Sequence, residues 1–536
     1  MQLIFESQIK SILKSLIVSI LLKTSVILKT QTVKSLAKES VVFVIFGASG
    51  DLNWRKITPA LYNLFLEGYL PEDFAIMATS RSPKTNEEYR AEMLEGINKF
   101  SRSGKAKAEQ WEKFANNIIY TPADITEDKT YEGIKQNIAA YSASWKKEPI
   151  VIYYMSVAPQ FFGEIAQGLK NHQLAENKDK SRLVIEKPFG HDLASSRELN
   201  NLLSDIFEEK QIYRIDHYLG KEAVQNIMAF RFANSILEPL WNRNYIEHVQ
   251  ISVTEDLGVG GRAGYYEDAG ALRDMVQNHI LQLLCLIAME TPINFEADEV
   301  RNRKVDVLRS MRRFKKEDIK KNAVRGQYGP GWMQGSEVPG YREEKGVDPE
   351  SNTETFAALK FFVDNWRWHG VPFYVRTGKR MPEKSSVIAI QFRDVPHQVF
   401  PEETSDNWRQ NRLVISIQPE MSIRLQMQTK KPGLEMVLNT VDMVFSYDST
   451  DESETPEAYE TLLLDTMEGD QTLFMRADQV EEAWQLLMPV LNSWESKESI
   501  DFPNYKADTF GPELAEALIA QDGYHWFSTP KTKKEK

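Results

Sequence analysis

The sequence predicts an α/β domain followed by an α+β domain, and three observations carry this prediction. The apolar run VVFVIF, Val41–Phe46, leads into a glycine turn and then a helical pattern. Further apolar runs alternate with helical stretches as far as Asp216, which is typical of a doubly wound parallel sheet. Beyond Gly220, grouped strand-like runs with helices beside them predict a larger domain with a mostly antiparallel sheet.

The chain length allows this organisation. Its 536 residues, 42% hydrophobic and 26% charged, suffice for two or three globular domains. We divide the chain into an N-terminal extension (1–40), a first domain (41–216), a second domain (217–527) and a tail (528–536). The extension holds six lysines that interrupt its apolar patches, so no uncharged run approaches the roughly 20 residues of a membrane span. We expect it to be dispensable, while a targeting segment or a start assigned too far upstream remains open.

Net charge and cysteine content exclude several classes of protein. A net charge of -12 argues against nucleic acid as the main partner, since a phosphate backbone needs a basic face. The single cysteine, Cys285, excludes an internal disulfide and any cysteine-based zinc site. It also fits a reducing compartment.

The elements of the first domain follow from its apolar periodicity. Apolar residues from Ile57 recur at helical spacing, and Thr58 with Pro59 is expected to act as the cap and first residue where this helix starts or restarts. Continuous apolar runs predict strands buried on both faces. These runs are VVFVIF, FAIMATS and PIVIYYMSVA. Two more predicted strands, RLVIEKPFG and IYRIDHYLG, end in polar residues at the edge where an open α/β sheet binds ligands.

The elements of the second domain change in character. The segment KEAVQNIMAFRFA predicts a helix, EHVQISVTE an alternating strand, and residues 272–287 a long helix. Five further strand-like runs follow, namely TFAALKFFV, PFYVRT, SVIAIQF, LVISIQ and SIRLQMQ. Helices near 459–467 and 478–491 complete the domain.

The first stretch that indicates chemistry is the turn GASGDL. Gly47, Gly50 and Asp51 form a candidate phosphate-binding turn of a dinucleotide-binding, Rossmann-like domain. An ordinary strand-turn-helix is about equally compatible with so short a pattern. At the end of the next strand, Ser80 and Arg81 replace the acid that would favour a free ribose hydroxyl. Arginine suits a 2′-phosphate and so favours NADP, although a solvated surface arginine is the alternative.

The second stretch is RIDHYLGKE. His217 and Lys221, four residues apart at a helix start, could face one way and form a phosphate site. A polar capped turn is the alternative, but it would not require this density of donors.

The third stretch is GALRDMVQNHILQLLCLIAM. His279 lies inside an apolar stripe of the predicted helix. A histidine at such a position is more commonly a hydrogen-bonded core residue than a catalytic one. A catalytic base also needs partial burial and a carboxylate to orient it. Asp216, at the end of a buried strand, could supply that carboxylate, but spacing alone cannot show that the two meet.

The motifs GASGDL, EKPFG, RIDHYLGKE, RDMVQNH and VRTGKRMPEK together resemble those of the glucose-6-phosphate dehydrogenase family, in the same order. The resemblance covers about residues 42–527. It implies oxidation of D-glucose 6-phosphate to 6-phospho-D-glucono-1,5-lactone with hydride transfer to NADP, the first step of the oxidative pentose phosphate pathway. It also implies a cytoplasmic homodimer or homotetramer.

The resemblance assigns roles residue by residue. His279 matches the catalytic base and Asp216 the carboxylate that orients it. Further residues match the substrate site, with Lys187 lying between sugar and cofactor: Lys187, His217, Tyr218, Lys221, Glu255, Asp274, Lys379 and Lys384. Others match the cofactor site, with Asp124 the weakest: Gly47, Ser49, Gly50, Asp51, Leu52, Arg81, Asp124, Tyr154 and Lys187. Pro188 matches a proline whose peptide bond is cis in related structures.

Two departures from the family pattern stand out. Asn53 occupies a position that is usually alanine, and its larger side chain is expected to loosen helix–strand packing or slightly alter cofactor affinity. Ser385 follows Lys384 where animal members carry a lysine for a second, structural NADP, so we expect no such second site.

The expected mechanism needs no metal, because a base removes the hydroxyl proton and the nicotinamide accepts the hydride. Two other functions are alternatives to this one. A sister enzyme could use NAD or another hexose phosphate, and Arg81 is the residue that discriminates against NAD. A non-catalytic dinucleotide sensor would lack the base or the phosphate ligands, whereas Asp216, His217, Lys221 and His279 are all present.

Overall fold

The computed structural model describes residues 39–401, 408–446, 455–496 and 501–528. The predicted N-terminal extension, up to residue 38, and the tail from 529 lie outside these residues. Within the described ranges, no helix combines the length and the apolar character that crossing a bilayer would require.

The first domain is built on a six-stranded, all-parallel sheet with the order β3-β2-β1-β4-β5-β6. This order confirms the predicted doubly wound dinucleotide-binding fold. Its strands are β1 Val41–Phe46, β2 Phe74–Ser80, β3 Ile118–Pro122, β4 Ile150–Met155, β5 Ser181–Glu186 and β6 Ile212–Ile215. Strands β1 and β4 are buried along their whole length, as their continuous apolar runs predict.

Six α-helices cover the two faces of this sheet. They are α1 Thr58–Leu66, α2 Asn86–Phe100, α3 Ala108–Ala115, α4 Asp128–Trp145, α5 Phe162–Asn171 and α6 Leu193–Ser204. Helix α2 begins at a capping box in which Thr85 accepts from the Glu88 N–H and Glu88 accepts from the Thr85 N–H.

The structure confirms that an α-helix restarts at Thr58, but the prediction that Thr58 caps it is wrong. Helical structure begins at Asp51 and passes through a π-helical segment, Asn53–Ile57, directly into α1. Thr58 itself has helical backbone angles (φ -64°, ψ -43°). Its hydroxyl donates to Asn53 Oδ1 at 3.1 Å rather than capping a backbone N–H.

Asn53 also behaves differently from the expectation that it loosens packing. It is fully buried, and its amide donates to the Ala48 carbonyl (2.7 Å) and to the Tyr89 hydroxyl (2.8 Å). Because its polar atoms have partners, the larger side chain joins the turn to α2 instead of prising helix and strand apart.

The second domain contains an eight-stranded sheet with the order β17-β16-β15-β14-β7-β13-β12-β8. All its neighbours pair antiparallel except β7 and β13, which are parallel, so the predicted mostly antiparallel sheet is confirmed. Its strands are β7 Ile246–Thr254, β8 Ala323–Gly326, β12 Phe356–Phe362, β13 Pro372–Gly378, β14 Ser385–Phe392, β15 Arg412–Gln418, β16 Ser422–Lys430 and β17 Leu438–Ser446.

In the described parts of the second domain, two small sheets and eight α-helices accompany the large sheet. The small sheets pair β10 Gly331–Met333 with β11 Ser336–Val338, and β9 Tyr328–Gly329 with β18 Tyr505–Lys506. The helices are α7 Glu222–Phe232, α8 Ala263–Ala271, α9 Leu281–Ala288, α10 Ala297–Ser310, α11 Lys316–Asn322, α12 Ala458–Glu468, α13 Ala477–Glu495 and α14 Glu513–Ala520. A π-helical segment, Leu272–Ile280, joins α8 to α9.

Helices α12 and α13 return to the first domain, which the sequence did not predict. Helix α12 packs against α1, and α13 packs against α6. Buried Glu460 on α12 accepts from Arg102, which follows α2, and the Trp484 indole N–H donates to the Phe189 carbonyl at 3.1 Å. The predicted boundary near Asp216 therefore separates the two sheets, but not all of the packing around them.

Candidate active site

A pocket of about 570 Å³ opens where the carboxyl ends of the parallel strands face the second domain. This is the edge at which open α/β sheets bind ligands. Most of the predicted catalytic and substrate residues line it: Lys187, His217, Tyr218, Lys221, Glu255, Asp274, His279 and Lys384.

Asp216 and His279, whose meeting spacing could not establish, are in direct contact. Asp216 follows β6, and His279 lies in the π-helical segment of the second domain. The Asp216 Oδ1 to His279 Nδ1 distance is 2.5 Å, and each residue is 1% exposed. His279 is buried, as its interpretation as a core residue predicts, but it also has a buried carboxylate as its partner.

The electrostatics of this pair favour a neutral imidazole beside an ionised carboxylate. Burial opposes ionisation of Asp216, yet His279 and His217 hold the pKa of its carboxyl well below the usual value. Burial lowers the pKa of His279, against the pull of Asp216. A neutral His279 that donates from Nδ1 to Asp216 keeps a lone pair on Nε2, so it can accept a proton there.

Lys187 reaches the same histidine from the first domain. It follows β5 and precedes Pro188, and the peptide bond between these two residues is cis. Its Nζ lies 2.9 Å from His279 Nε2, 3.0 Å from Asp274 Oδ1 and 2.9 Å from the Asp274 carbonyl oxygen. Burial disfavours the Asp274 carboxylate, but Lys187 and Arg262 keep its pKa well below the usual value.

The pocket wall away from His279 is basic. Lys221 Nζ donates to Gln418 Oε1 at 2.9 Å and lies 4.1 Å from the centre of the Tyr218 ring. Burial and the nearby Lys384 lower the pKa of Lys221 to about 8. His217 also lines the pocket, but burial holds its pKa well below the usual value, so it is neutral there at pH 7.

Lys379 is not among the residues that line the pocket. It is buried, its Nζ lies 2.6 Å from Glu255 Oε2, and it lies 4.9 Å from the centre of the Tyr266 ring. Glu255 does line the pocket, so Lys379 contacts the pocket through Glu255.

The donor set around His279 could also hold a cation. Ligand atoms of Asp216, His217 and His279 lie within 4.8 Å of one another. Both ring nitrogens of His279 are already engaged, however, one by Asp216 and the other by Lys187. Since a metal would have to displace a neighbouring lysine cation, the arrangement favours acid–base chemistry.

A second cavity, of about 730 Å³, lies at the glycine turn. Gly47, Ser49, Gly50, Arg81 and Asp124 line it. Gly47 has φ +76°, and a Cβ there would lie 2.1 Å from the Ser156 carbonyl oxygen, so only glycine fits this turn.

Serine residues line this cavity together with Arg81. Ser49 Oγ lies 2.5 Å from Ser80 Oγ and 3.2 Å from Ser82 Oγ. Asp124 Oδ1 accepts from the N–H and the hydroxyl of Thr126, which, together with Arg81, lower its pKa.

The remaining predicted cofactor residues do not line the second cavity. Asp51 points to solvent and pairs with Arg55 at 2.6 Å, while Leu52 packs against the core. Tyr154 is fully buried, and its hydroxyl donates to Glu186 Oε1 at 2.5 Å. Lys187 lines the first pocket instead.

The sequence analysis missed several pocket residues, among them Lys56, Gln418 and Tyr459. Lys56 lines the basic wall and pairs with Glu457 at 2.7 Å, and its place five residues after Asp51 was a signal that could have found it. Gln418 and Tyr459 reach the pocket from β15 and α12. No local pattern marks these two, because they join the pocket only through the fold.

Two family descriptions match most of the chain. "Glucose-6-phosphate dehydrogenase, NAD binding domain" matches residues 44–226. "Glucose-6-phosphate dehydrogenase, C-terminal domain" matches residues 228–527. The two matches meet next to the boundary between the sheets.

Relatives are similar over nearly the whole chain. The glucose-6-phosphate 1-dehydrogenase of Chlamydia muridarum is 43% identical over 494 residues, 91% of this chain and 96% of the relative. That of Bacillus subtilis is 42% identical over 495 residues, 92% of this chain and 100% of the relative. A solved structure, described as glucose-6-phosphate dehydrogenase in complex with its substrate glucose-6-phosphate, is 35% identical, with a TM-score of 0.84 over 92% of this chain and 99% of that one.

Proposed function

The chain belongs to the glucose-6-phosphate dehydrogenase family, and from this premise we propose that it oxidises D-glucose 6-phosphate to 6-phospho-D-glucono-1,5-lactone with NADP as hydride acceptor. The observation that carries the proposal is the buried Asp216–His279 pair, which leaves His279 Nε2 facing a pocket with a basic wall.

His279 acts as the general base in this proposal. Its Nε2 takes the proton of the C1 hydroxyl, and the C1–O bond becomes the carbonyl of the lactone. Asp216 accepts the hydrogen bond from Nδ1 and stabilises the imidazolium that forms, as a buried carboxylate does in other catalytic dyads. Lys187, now on Nε2, must give way to the substrate hydroxyl.

Lys221, Lys384 and Lys56 bind the phosphate in this proposal. All three line the pocket, and a dianionic phosphate would relieve their mutual repulsion. Neutral His217 can donate a hydrogen bond to the same group. The protein as a whole carries a net charge of -12, so these lysines form a local positive site in a negative field.

The glycine-turn cavity suits a dinucleotide. Its tight backbone at Gly47 and Gly50 leaves room for a pyrophosphate, and Arg81 with the surrounding serine hydroxyls suits a ribose 2′-phosphate. These residues would hold NADP in preference to NAD. When bound, the nicotinamide supplies the acceptor for the hydride from C1.

Initial rates with purified protein test the proposal. Glucose 6-phosphate should be oxidised with a lower KM for NADP than for NAD, and glucose without phosphate should react poorly. Absence of coenzyme reduction with either NADP or NAD would overturn the proposal. A preference for another hexose phosphate would keep the chemistry and correct the substrate.

From the family resemblance we also propose that the protein is a homo-oligomer and lies in the cytoplasm. Light scattering on the purified protein would give the oligomeric state. Imaging of a tagged full-length chain would give the compartment.

A further inference from the structure

Helix α12, Ala458–Glu468, contacts three separate segments of the candidate active site. Glu457, just before the helix, pairs with Lys56. The Ala458 carbonyl oxygen packs against Gly220, the residue before Lys221, so closely that a Cβ on Gly220 would be 2.6 Å from this oxygen. Tyr459 lines the sugar pocket and reaches the end of β5. One helix from the far end of the chain thus fixes several site segments at once.

The contact of Tyr459 is with Glu186. The Tyr459 hydroxyl donates to Glu186 Oε1 at 3.1 Å, and Tyr154 donates to the same oxygen at 2.5 Å. Burial holds the pKa values of both tyrosines well above their usual value, so both stay protonated and remain donors. Burial raises the pKa of Glu186 to about 7, against the hydrogen bonds from these two tyrosines, which lower it.

Glu186 stands directly before Lys187, whose Nζ contacts His279 Nε2 and Asp274. Glu186 is the last residue of β5 and Lys187 follows it directly, so the hydrogen bonds to Glu186 hold the strand end from which Lys187 extends. An anchored Glu186 therefore restricts the backbone that sets where the Lys187 amine lies.

We propose that Tyr459 is a positioning residue for the oxidation: by donating to Glu186, its hydroxyl fixes the strand end that carries Lys187 against His279. This rests on the proposed function, because the positions of Lys187 and His279 matter only if they react with the sugar. Tyr459 acts through Glu186 and not by contact with the reacting atoms.

The test compares Y459F with wild type and with Y153F. Tyr153 is a fitting control because it is buried in β4 and its hydroxyl donates to the Leu174 carbonyl at 2.9 Å, away from the pocket. Y459F keeps the ring that lines the pocket. Its kcat should fall about tenfold, because small misplacements at the reacting centre are costly. Its KM for glucose 6-phosphate should stay within about twofold, because the lysines of the basic wall are untouched.

A double-mutant cycle identifies the route through Glu186. In an E186L background, the Y459F change should lower kcat by less than about twofold, because residue 186 then has no oxygen to accept the Tyr459 hydrogen bond. Thermal midpoints should drop by similar amounts in Y459F and Y153F, since each loses one buried hydrogen bond.

The outcomes separate this inference from the proposed function. Wild type without activity on glucose 6-phosphate would overturn both. Active wild type with unchanged kcat in Y459F would overturn the inference alone. Equal losses of kcat in Y459F and Y153F, or equal Y459F effects with and without E186L, would also overturn it by showing a general stability effect.

Discussion

The glycine-turn cavity and the sugar pocket are built in opposite ways. The cavity is formed by one domain, largely from a turn and the ends of neighbouring strands, and its charged groups, Arg81 and Asp124, stand near solvent. The pocket is formed by both domains. Its buried groups already have partners, since Asp216 pairs with His279 and Lys187 links His279 to Asp274.

This difference reflects what each site has to do. Recognition of a dinucleotide needs backbone shape and a few exposed charges, which can act without strong coupling to the rest of the protein. Proton removal needs a base whose tautomer and orientation are fixed, which requires a buried partner. The comparison predicts that changes in the pocket affect turnover or sugar binding, while changes in the cavity affect coenzyme binding alone.

The largest effect is expected for H279N. Removing a general base typically costs about 10²–10⁴ in rate, so kcat should fall by this amount. The amide leaves the basic wall in place, so the Kd for glucose 6-phosphate, measured by titration calorimetry, should change little.

A normal kcat in H279N would show that His279 is only a core residue. A large loss of both kcat and sugar binding would instead indicate that the variant pocket has collapsed. Circular dichroism of the variant distinguishes a folded pocket from an unfolded one.

The next effect is expected for K221A in the pocket. A charge-assisted contact to phosphate contributes roughly 1.5–3 kcal/mol, so the KM for glucose 6-phosphate should rise roughly 10- to 100-fold. The KM for NADP should stay close to wild type. Equal increases for both ligands would remove Lys221 from the sugar site and break the contrast between the two regions.

A smaller effect is expected for R81A in the cavity. Because Arg81 is exposed, water screens its contact, and the KM for NADP should rise by about tenfold, the lower end for a charge-assisted contact. The KM for NAD should hardly change, because NAD has no 2′-phosphate. A parallel increase for both coenzymes would mean that Arg81 supports the fold or the shared pyrophosphate.

Alkaline pH should weaken sugar binding through Lys221. Burial and Lys384 lower the pKa of this lysine to about 8, so the free enzyme carries the cation below pH 8 and loses it above. Between pH 7.5 and 9, kcat/KM for glucose 6-phosphate should fall about eightfold on an alkaline limb with a midpoint near 8.

The K221R variant is the control for this limb. Arginine stays charged over the whole range, so the limb should disappear. A limb that persists unchanged in K221R would assign it to another group.

Local sequence patterns indicated the cavity more directly than the pocket, for the same physical reason, although four of the predicted cofactor residues do not line the cavity. The glycines of the turn, the neighbouring strands and Arg81 lie close together along the chain, so a local sequence pattern is enough to indicate the site. In the pocket, Asp216 and His279 are 63 residues apart, and only the packing of the two domains brings them together. The resemblance to known enzymes supplied these assignments, which periodicity could not.

Four residues show what local sequence patterns could not predict. Thr58 has the pattern of a cap, but helical structure runs continuously into it from the π-helical segment Asn53–Ile57. Tyr154 matches a cofactor residue, yet its hydroxyl is bonded to buried Glu186. Gln418 and Tyr459 become pocket residues only because the fold brings the end of β15 and the start of α12 to the pocket. Each of these depends on contacts between residues distant in sequence.

The transfer of hydrogen from C1 tests the central claim most directly. Glucose 6-phosphate carrying deuterium at C1 is incubated with the protein and NADP, and the reduced coenzyme is analysed by NMR. The account predicts that the deuterium is found at C4 of the nicotinamide, with the hydroxyl proton taken by His279 and released to water. Reduced coenzyme that carries only solvent hydrogen, or no reduced coenzyme at all, would contradict it.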